Sequence, residues 1–251
     1  MLIDTHCHLY KEYYGDIDNI IKLSKENNVM DYINNGCDAK SNIEVLKSVE
    51  KYPSVYGALG IHPEYFENYT LDDIKFIEDN LSNPKIVAIG EIGLDYHYSK
   101  ENKAEQIKLL ELQLELAEKY DIPVIIHSRE ATEDTINTLK KYNVKGVIHS
   151  FSGSLETARI YIKMGYLLGI NGVITFKNCN LKDTLKEIPI ENIVLETDSP
   201  YLTPVPFRGK QNNPSHILDI AKFIGEIYDL SLEEVTKVTT DNVKKLYPKI
   251  I

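Results

Sequence analysis

Short apolar runs alternate with longer amphipathic stretches along the whole chain. The runs are Met1–His6, Met30–Asn34, Val55–Leu59, Ile86–Gly90, Val124–His127, Gly146–His149, Tyr166–Ile170 and Ile193–Glu196. Each is followed by a polar turn and then by a segment with helical spacing. Ile107, Leu110, Leu114 and Ala117 show the 3.6-residue period well. Strands that alternate with amphipathic helices pair in parallel. Eight such units in 251 residues match an α/β fold of the TIM (β/α)8 barrel type. A doubly wound open sheet is the alternative. Two helices follow the last strand. Asn213 and Pro214 read as a cap and first-turn pair. Ser231 and Glu234 read as a capping box.

No Gly/Ser-rich or Pro-rich linker, low-complexity block or like-charge tail interrupts this pattern. Residues 1–251 are therefore expected to form a single domain. A hydrophobic content of 43% with 26% charged residues is ordinary globular composition and excludes intrinsic disorder. No apolar run approaches the roughly 18–20 residues that span a bilayer. The N-terminus lacks the basic and apolar regions of a secretory signal. Cys7, Cys37 and Cys179 are far apart, with no CxxC spacing, so neither a disulfide framework nor a Cys-based zinc site is expected. The chain reads as reduced and cytoplasmic. A net charge of −10 argues against a broad surface that coats nucleic acid, but a small phosphate cleft served by bound cations remains compatible with it.

The polar residues change the picture. His6 and His8 close the first expected strand, His127 the fifth and His149 the sixth. Glu91 ends the fourth, in AIGEIGLD, and Asp198 the eighth, in IVLETDSP. His62 follows the third, in LGIHP. In a barrel all C-terminal strand ends meet on one face, where active sites form. His6 and His8, spaced i, i+2, project to one side of an extended segment and Cys7 to the other. Mixed imidazole and carboxylate donors without thiolate suit Zn²⁺, Mn²⁺ or Mg²⁺. Six such residues exceed the needs of one tetrahedral ion and suggest two divalent metal ions, about 3.5–4 Å apart. Taken singly, each residue has an ordinary reading: a strand-end His can bind backbone, and Glu91 or Asp198 can cap a turn. Their convergence on one face is what argues for a site. Cys7 reads as a small buried hydrophobe, and His97 and His216 as peripheral.

The segments DTHCHL, LGIHP, IGEIGLDYH, IHSREA, IHSFSGS, ETDSPYLTP and PFRGKQNNP stand in the order seen in the TatD-related metal-dependent hydrolases of the amidohydrolase superfamily, which this chain resembles over essentially its whole length. The departure is small: many relatives read HCFSG where this chain has His149-Ser150-Phe151-Ser152-Gly153. The resemblance implies a (β/α)8 barrel and metal-dependent deoxyribonuclease chemistry. Residue by residue, it implies that His6 and His8 hold one metal, that His127 and His149 hold the second, and that Glu91 bridges them. Asp198 would ligate the first metal and act on the attacking water. His62 would line the phosphate site, and Arg129 and Arg208 would lie near the substrate cleft.

The expected reaction is hydrolysis of a DNA phosphodiester, with Asp198 moving the proton from water to the leaving oxygen. Among the 28 basic side chains only Arg129, Arg159 and Arg208 are arginines, and two of these fall in cleft motifs. Tyr201, Phe207 or Tyr96 can stack on a base. The acidic balance favours short or single-stranded DNA ends and hence exonuclease action. No obligate protein partner is evident, and a monomer or weak oligomer is expected. One alternative is a hydrolase of an amide, lactone or ester bond in a small metabolite. Another is a metal-binding scaffold without turnover, against which the intact ligand set argues.

Overall fold

The computed structural model describes residues 1–250. Its strands are β1 (Leu2–Cys7), β2 (Val29–Asn35), β3 (Val55–Leu59), β4 (Ile86–Asp95), β5 (Val124–Arg129), β6 (Gly146–Ile148), β7 (Tyr166–Ile170) and β8 (Ile193–Leu195). They pair in parallel, each with the next in sequence. The ends meet where Cys7 bridges Ser199, just beyond β8. The His8 N–H donates to the Ser199 carbonyl at 2.8 Å, and the Asp198 N–H to the His6 carbonyl at 2.9 Å. The result is a TIM barrel, as the alternating pattern predicts; the open sheet is excluded by this closure.

The helices are α1 (Lys11–Tyr14), α2 (Ile17–Glu26), α3 (Ala39–Lys51), α4 (Leu71–Asn80), α5 (Lys103–Tyr120), α6 (Thr132–Leu139), α7 (Leu155–Lys163), α8 (Leu181–Lys186), α9 (Ile217–Tyr228) and α10 (Leu232–Leu246). Leu110, Leu114 and Ala117 bury the inner stripe of α5, as the period requires. Two apolar layers result. Leu2, Tyr32, Leu59 and Ile86 pack outward against helical Val45, Ile77, Leu110 and Ile224. Ile3, Ile33, Tyr56, Val87, Ile125 and Val194 fill the lumen, where Tyr247 and Ile250 from the chain's end pack with them. The capping box of Ser231 and Glu234 is present at the start of α10. Asn213 caps a short 3-10 turn, Pro214–His216, that leads into α9 rather than the α-helix itself.

Six strand ends differ from expectation: β1, β2 and β5 run one or two residues further, to Cys7, Asn35 and Arg129, so His127 lies inside β5, and β4, β6 and β8 differ as follows. β4 does not stop at Gly90 but runs on to Asp95, wholly buried, so Glu91 lies inside the strand. A register shift between Ile89 and Ile92 accounts for this. It absorbs the extra length, and pairing with β5 then resumes as far as Asp95 and Arg129. β6 ends at Ile148 and β8 at Leu195, so His149 and Asp198 stand on the loops just above the sheet. Those loops bend sharply, and Asp198 adopts a left-handed conformation (φ 54°) that aims its carboxylate back over the barrel mouth.

Candidate metal centre

The expected ligands do converge. His6 is fully buried and His8, His62, Glu91 and His149 nearly so. The two oxygens of Glu91 divide them into two sets. Oε2 faces His6 Nε2 at 3.3 Å and His8 Nε2 at 3.9 Å. Oε1 faces His127 Nδ1 at 2.9 Å, His62 Nε2 at 3.6 Å and His149 Nε2 at 3.8 Å. Asp198 Oδ1 sits 3.6–3.7 Å from the Nε2 atoms of His6, His8 and His149. His6 and His8 do share one side of β1, while Cys7 turns into the strand–helix layer as expected. The His149 ring stacks on His6 with centroids 3.6 Å apart, whereas His127 is 6.4 Å away from His149.

Four of the five rings, all but that of His6, have a polar partner on the far side. The Asn35 carbonyl accepts from His8 Nδ1 at 3.1 Å, which leaves Nε2 free to face the site. Glu196 Oε1 lies 2.9 Å from His149 Nδ1, and Asp95 Oδ2 lies 3.0 Å from His127 Nε2. Carboxylates behind imidazoles fix the ring orientation and raise the basicity of the far nitrogen. The Glu64 N–H donates to His62 Nδ1 at 3.2 Å, so His62 turns an N–H towards Glu91.

The charges agree with this picture. Burial opposes ionisation of Glu91, but His6, His149 and His62 outweigh it and hold its carboxyl well below the usual range. Burial also opposes charge on His127 and His149. Asp95 and Glu91 nevertheless raise the first to about 9, and Glu196, Asp198 and Glu91 raise the second to about 10. His6 and His62 are the exceptions: burial and the adjacent His149 lower the first, and burial and the adjacent His127 push the second down to about 3, so His62 stays a neutral donor. The cluster thus presents ionised carboxylates that draw positive charge to themselves.

The residues fit a metal. Both ring nitrogens of His6 are buried without a hydrogen-bond partner, an arrangement costly unless an ion takes up the lone pair of the unprotonated nitrogen. Donor atoms of His6, His8 and Asp198 lie within 4.8 Å of one another, as do those of His62, Glu91 and His127.

A cavity of about 520 Å³ opens above the cluster. Arg129 lines it, with its guanidinium over the Tyr98 ring, and Tyr201 stands at the mouth with its hydroxyl 3.1 Å from that of Tyr13. Arg208 is not among the lining residues; its guanidinium lies 3.9 Å from the centre of the Phe176 ring. Tyr96 is buried and donates its hydroxyl to Asp134, so it has no face to offer a base. Phe207 packs on His216, and His97 pairs with Glu130 at the surface. Sequence reasoning leaves Asp95 and Glu196 without a role and sets Cys37 aside with the other cysteines as no zinc ligand. The first two sat inside quoted motifs, IGEIGLDYH and ETDSPYLTP, as unused acids. The third carried no spacing signal.

The family model for TatD-related DNases matches residues 3–248. The chain belongs to the TatD family. It is 40% identical to the metal-dependent hydrolase YabD of Bacillus subtilis over 98% of this chain and 99% of that one. It is 33% identical to the human deoxyribonuclease TATDN3, over 99% and 95% of the two chains. The crystal structure of the TatD homologue YjjV of Escherichia coli superposes with a TM-score of 0.94 at 31% identity, covering 98% of each chain. This TatD protein is a metal-dependent hydrolase with the barrel of its family. Among the described residues no helix is long and apolar enough to cross a membrane.

Proposed function

We propose that this TatD-family hydrolase is a deoxyribonuclease that cleaves phosphodiesters from short or single-stranded DNA ends. The observation that carries the reading is the division of donors between the two oxygens of Glu91. His6, His8 and Asp198 would hold one divalent ion, and His127 and His149 a second, with Glu91 between them. Such ions, Mg²⁺, Mn²⁺ or Zn²⁺, supply Lewis acidity towards a phosphoryl oxygen and make water acidic near neutral pH. Asp198, ionised and above the cluster, accepts the proton of the attacking water and returns it to the leaving oxygen. His62 offers a neutral N–H to the substrate, and Arg129 a bidentate donor at the cavity wall. Tyr201 presents a half-exposed ring at the mouth on which a terminal base can stack.

A second reading, hydrolysis of an ester, lactone or amide of a small metabolite, is favoured by the mouth itself. Glu12, Asp38, Glu44 and Glu64 line it beside Lys11 and Lys40, so a long polyanion meets repulsion there. The test is hydrolysis of 5′- and 3′-labelled single-stranded DNA by metal-stripped protein, with each ion added back, beside Asp198→Asn. Cleavage restored by metal and absent from the variant is the expected result. Metal binding without cleavage under any ion would move the assignment to the small-molecule ester.

A further inference from the structure

Cys37 follows β2 and lines the same cavity. Its Sγ lies 3.9 Å from Glu91 Oε2, the same oxygen that faces His6 and His8. Donor atoms of His8, Cys37 and Glu91 fall within 4.8 Å of one another. The thiol is held in place by its own backbone. The Cys37 N–H donates to Ser41 Oγ at 2.8 Å, and its carbonyl accepts from the His62 N–H at 2.8 Å. Two neighbours point to a ligand here. His8 Nδ1 is taken up by Asn35, so its Nε2 must look into this space. His6 is fully buried with Nε2 aimed at the same Glu91 oxygen and no partner of its own.

We propose that Cys37 is a thiolate ligand to the metal held by His6 and His8, and that it biases this position towards thiophilic ions. The inference rests on the metal-centred reading above. Ligation releases the thiol proton to solvent and forms a metal–sulfur bond; no oxidant is needed. Thiolate prefers Zn²⁺, Cd²⁺ and Co²⁺, whereas Mg²⁺ takes hard oxygen donors in octahedral sites. A thiol beside one half of the cluster therefore makes the two halves chemically unequal, with the His127 side left to imidazole and carboxylate alone.

The test is a titration of the metal-stripped full-length protein with Co²⁺ and with Cd²⁺, recorded by absorbance, while binding is measured separately by calorimetry. The wild type should develop a thiolate-to-metal charge-transfer band. Cys37→Ser and Cys37→Ala should lose the band, and Cys179→Ser should keep it. Zn²⁺ affinity should fall on the order of tenfold or more in both Cys37 variants, with Mg²⁺ affinity little changed. Stoichiometric Co²⁺ binding without a charge-transfer band, or a band that survives Cys37→Ser, would overturn the proposal and leave the metal centre standing. No calorimetric binding of any ion would remove the metal-centred reading and this proposal with it.

Discussion

His149 owes its aim to Glu196, and Glu196 owes its place to a missing side chain. A Cβ on Gly169 of β7 would lie 2.3 Å from Glu196 Oε2, closer than non-bonded atoms approach. Glu196 Oε1 also accepts from the Ser150 N–H at 2.7 Å, which ties the carboxylate to the loop that carries His149. Gly169→Ala should therefore push the carboxylate aside and let the imidazole tilt. We expect metal affinity to fall by about 10- to 100-fold, as for other losses behind a ligating His. Calorimetric titration checks this, with Glu196→Gln as the second variant and far-UV circular dichroism to show that the barrel persists. Wild-type affinity in both would mean that Glu196 does not orient the ring.

At the scale of elements, the functional groups sit where a strand becomes a loop, and the strands differ in how they make that change. β4 continues past the site, and its Asp95 reaches back to His127 from four residues beyond Glu91. β8 stops early and hands over to a loop whose left-handed turn at Asp198 brings the carboxylate over the mouth. Three helices, α3, α4 and α10, begin with a capping box. At α10, Glu234 Oε2 accepts from the Ser231 N–H at 2.8 Å, and Ser231 Oγ accepts from the Glu234 N–H at 3.2 Å. Ser231→Ala removes one acceptor from a helix end and should cost about 1 kcal/mol. Urea denaturation should show the lower midpoint with an unchanged slope, and metal affinity should not move. A changed metal affinity would mean that α10 is coupled to the site.

At the scale of the molecule, the lumen is filled from below and functional from above. Ile3, Ile33, Tyr56 and Val194 form the apolar floor together with Tyr247 from the chain's end. The His and carboxylate cluster occupies the opposite, C-terminal end of the strands. A core of this extent does not depend on ions for its stability. Chelation with EDTA should leave far-UV circular dichroism and cooperative melting in place. The melting temperature should fall only by the binding free energy that the ions contribute. Loss of the folded state on chelation would show that the cluster holds the barrel together.

The order and type of the elements were legible in the chain because hydrophobic periodicity is local, and each strand and helix carries its own. The gathering of His6, His8, Glu91, His127, His149 and Asp198 followed from the same pattern, since a parallel barrel brings every strand's C-terminal end to one face. Tertiary structure alone decided which atoms meet. The register shift in β4, the reach of Asp95 and Glu196 to the far ring nitrogens, and the approach of Cys37 to Glu91 across 54 residues of sequence depend on ladder register. The burial of Tyr96 and the turn of Arg208 onto Phe176 are likewise settled by contacts between segments distant in sequence. A slip of one residue in pairing reverses the facing of a whole strand. Local pattern can thus say which face a donor occupies, and only the assembled barrel settles which partner lies opposite.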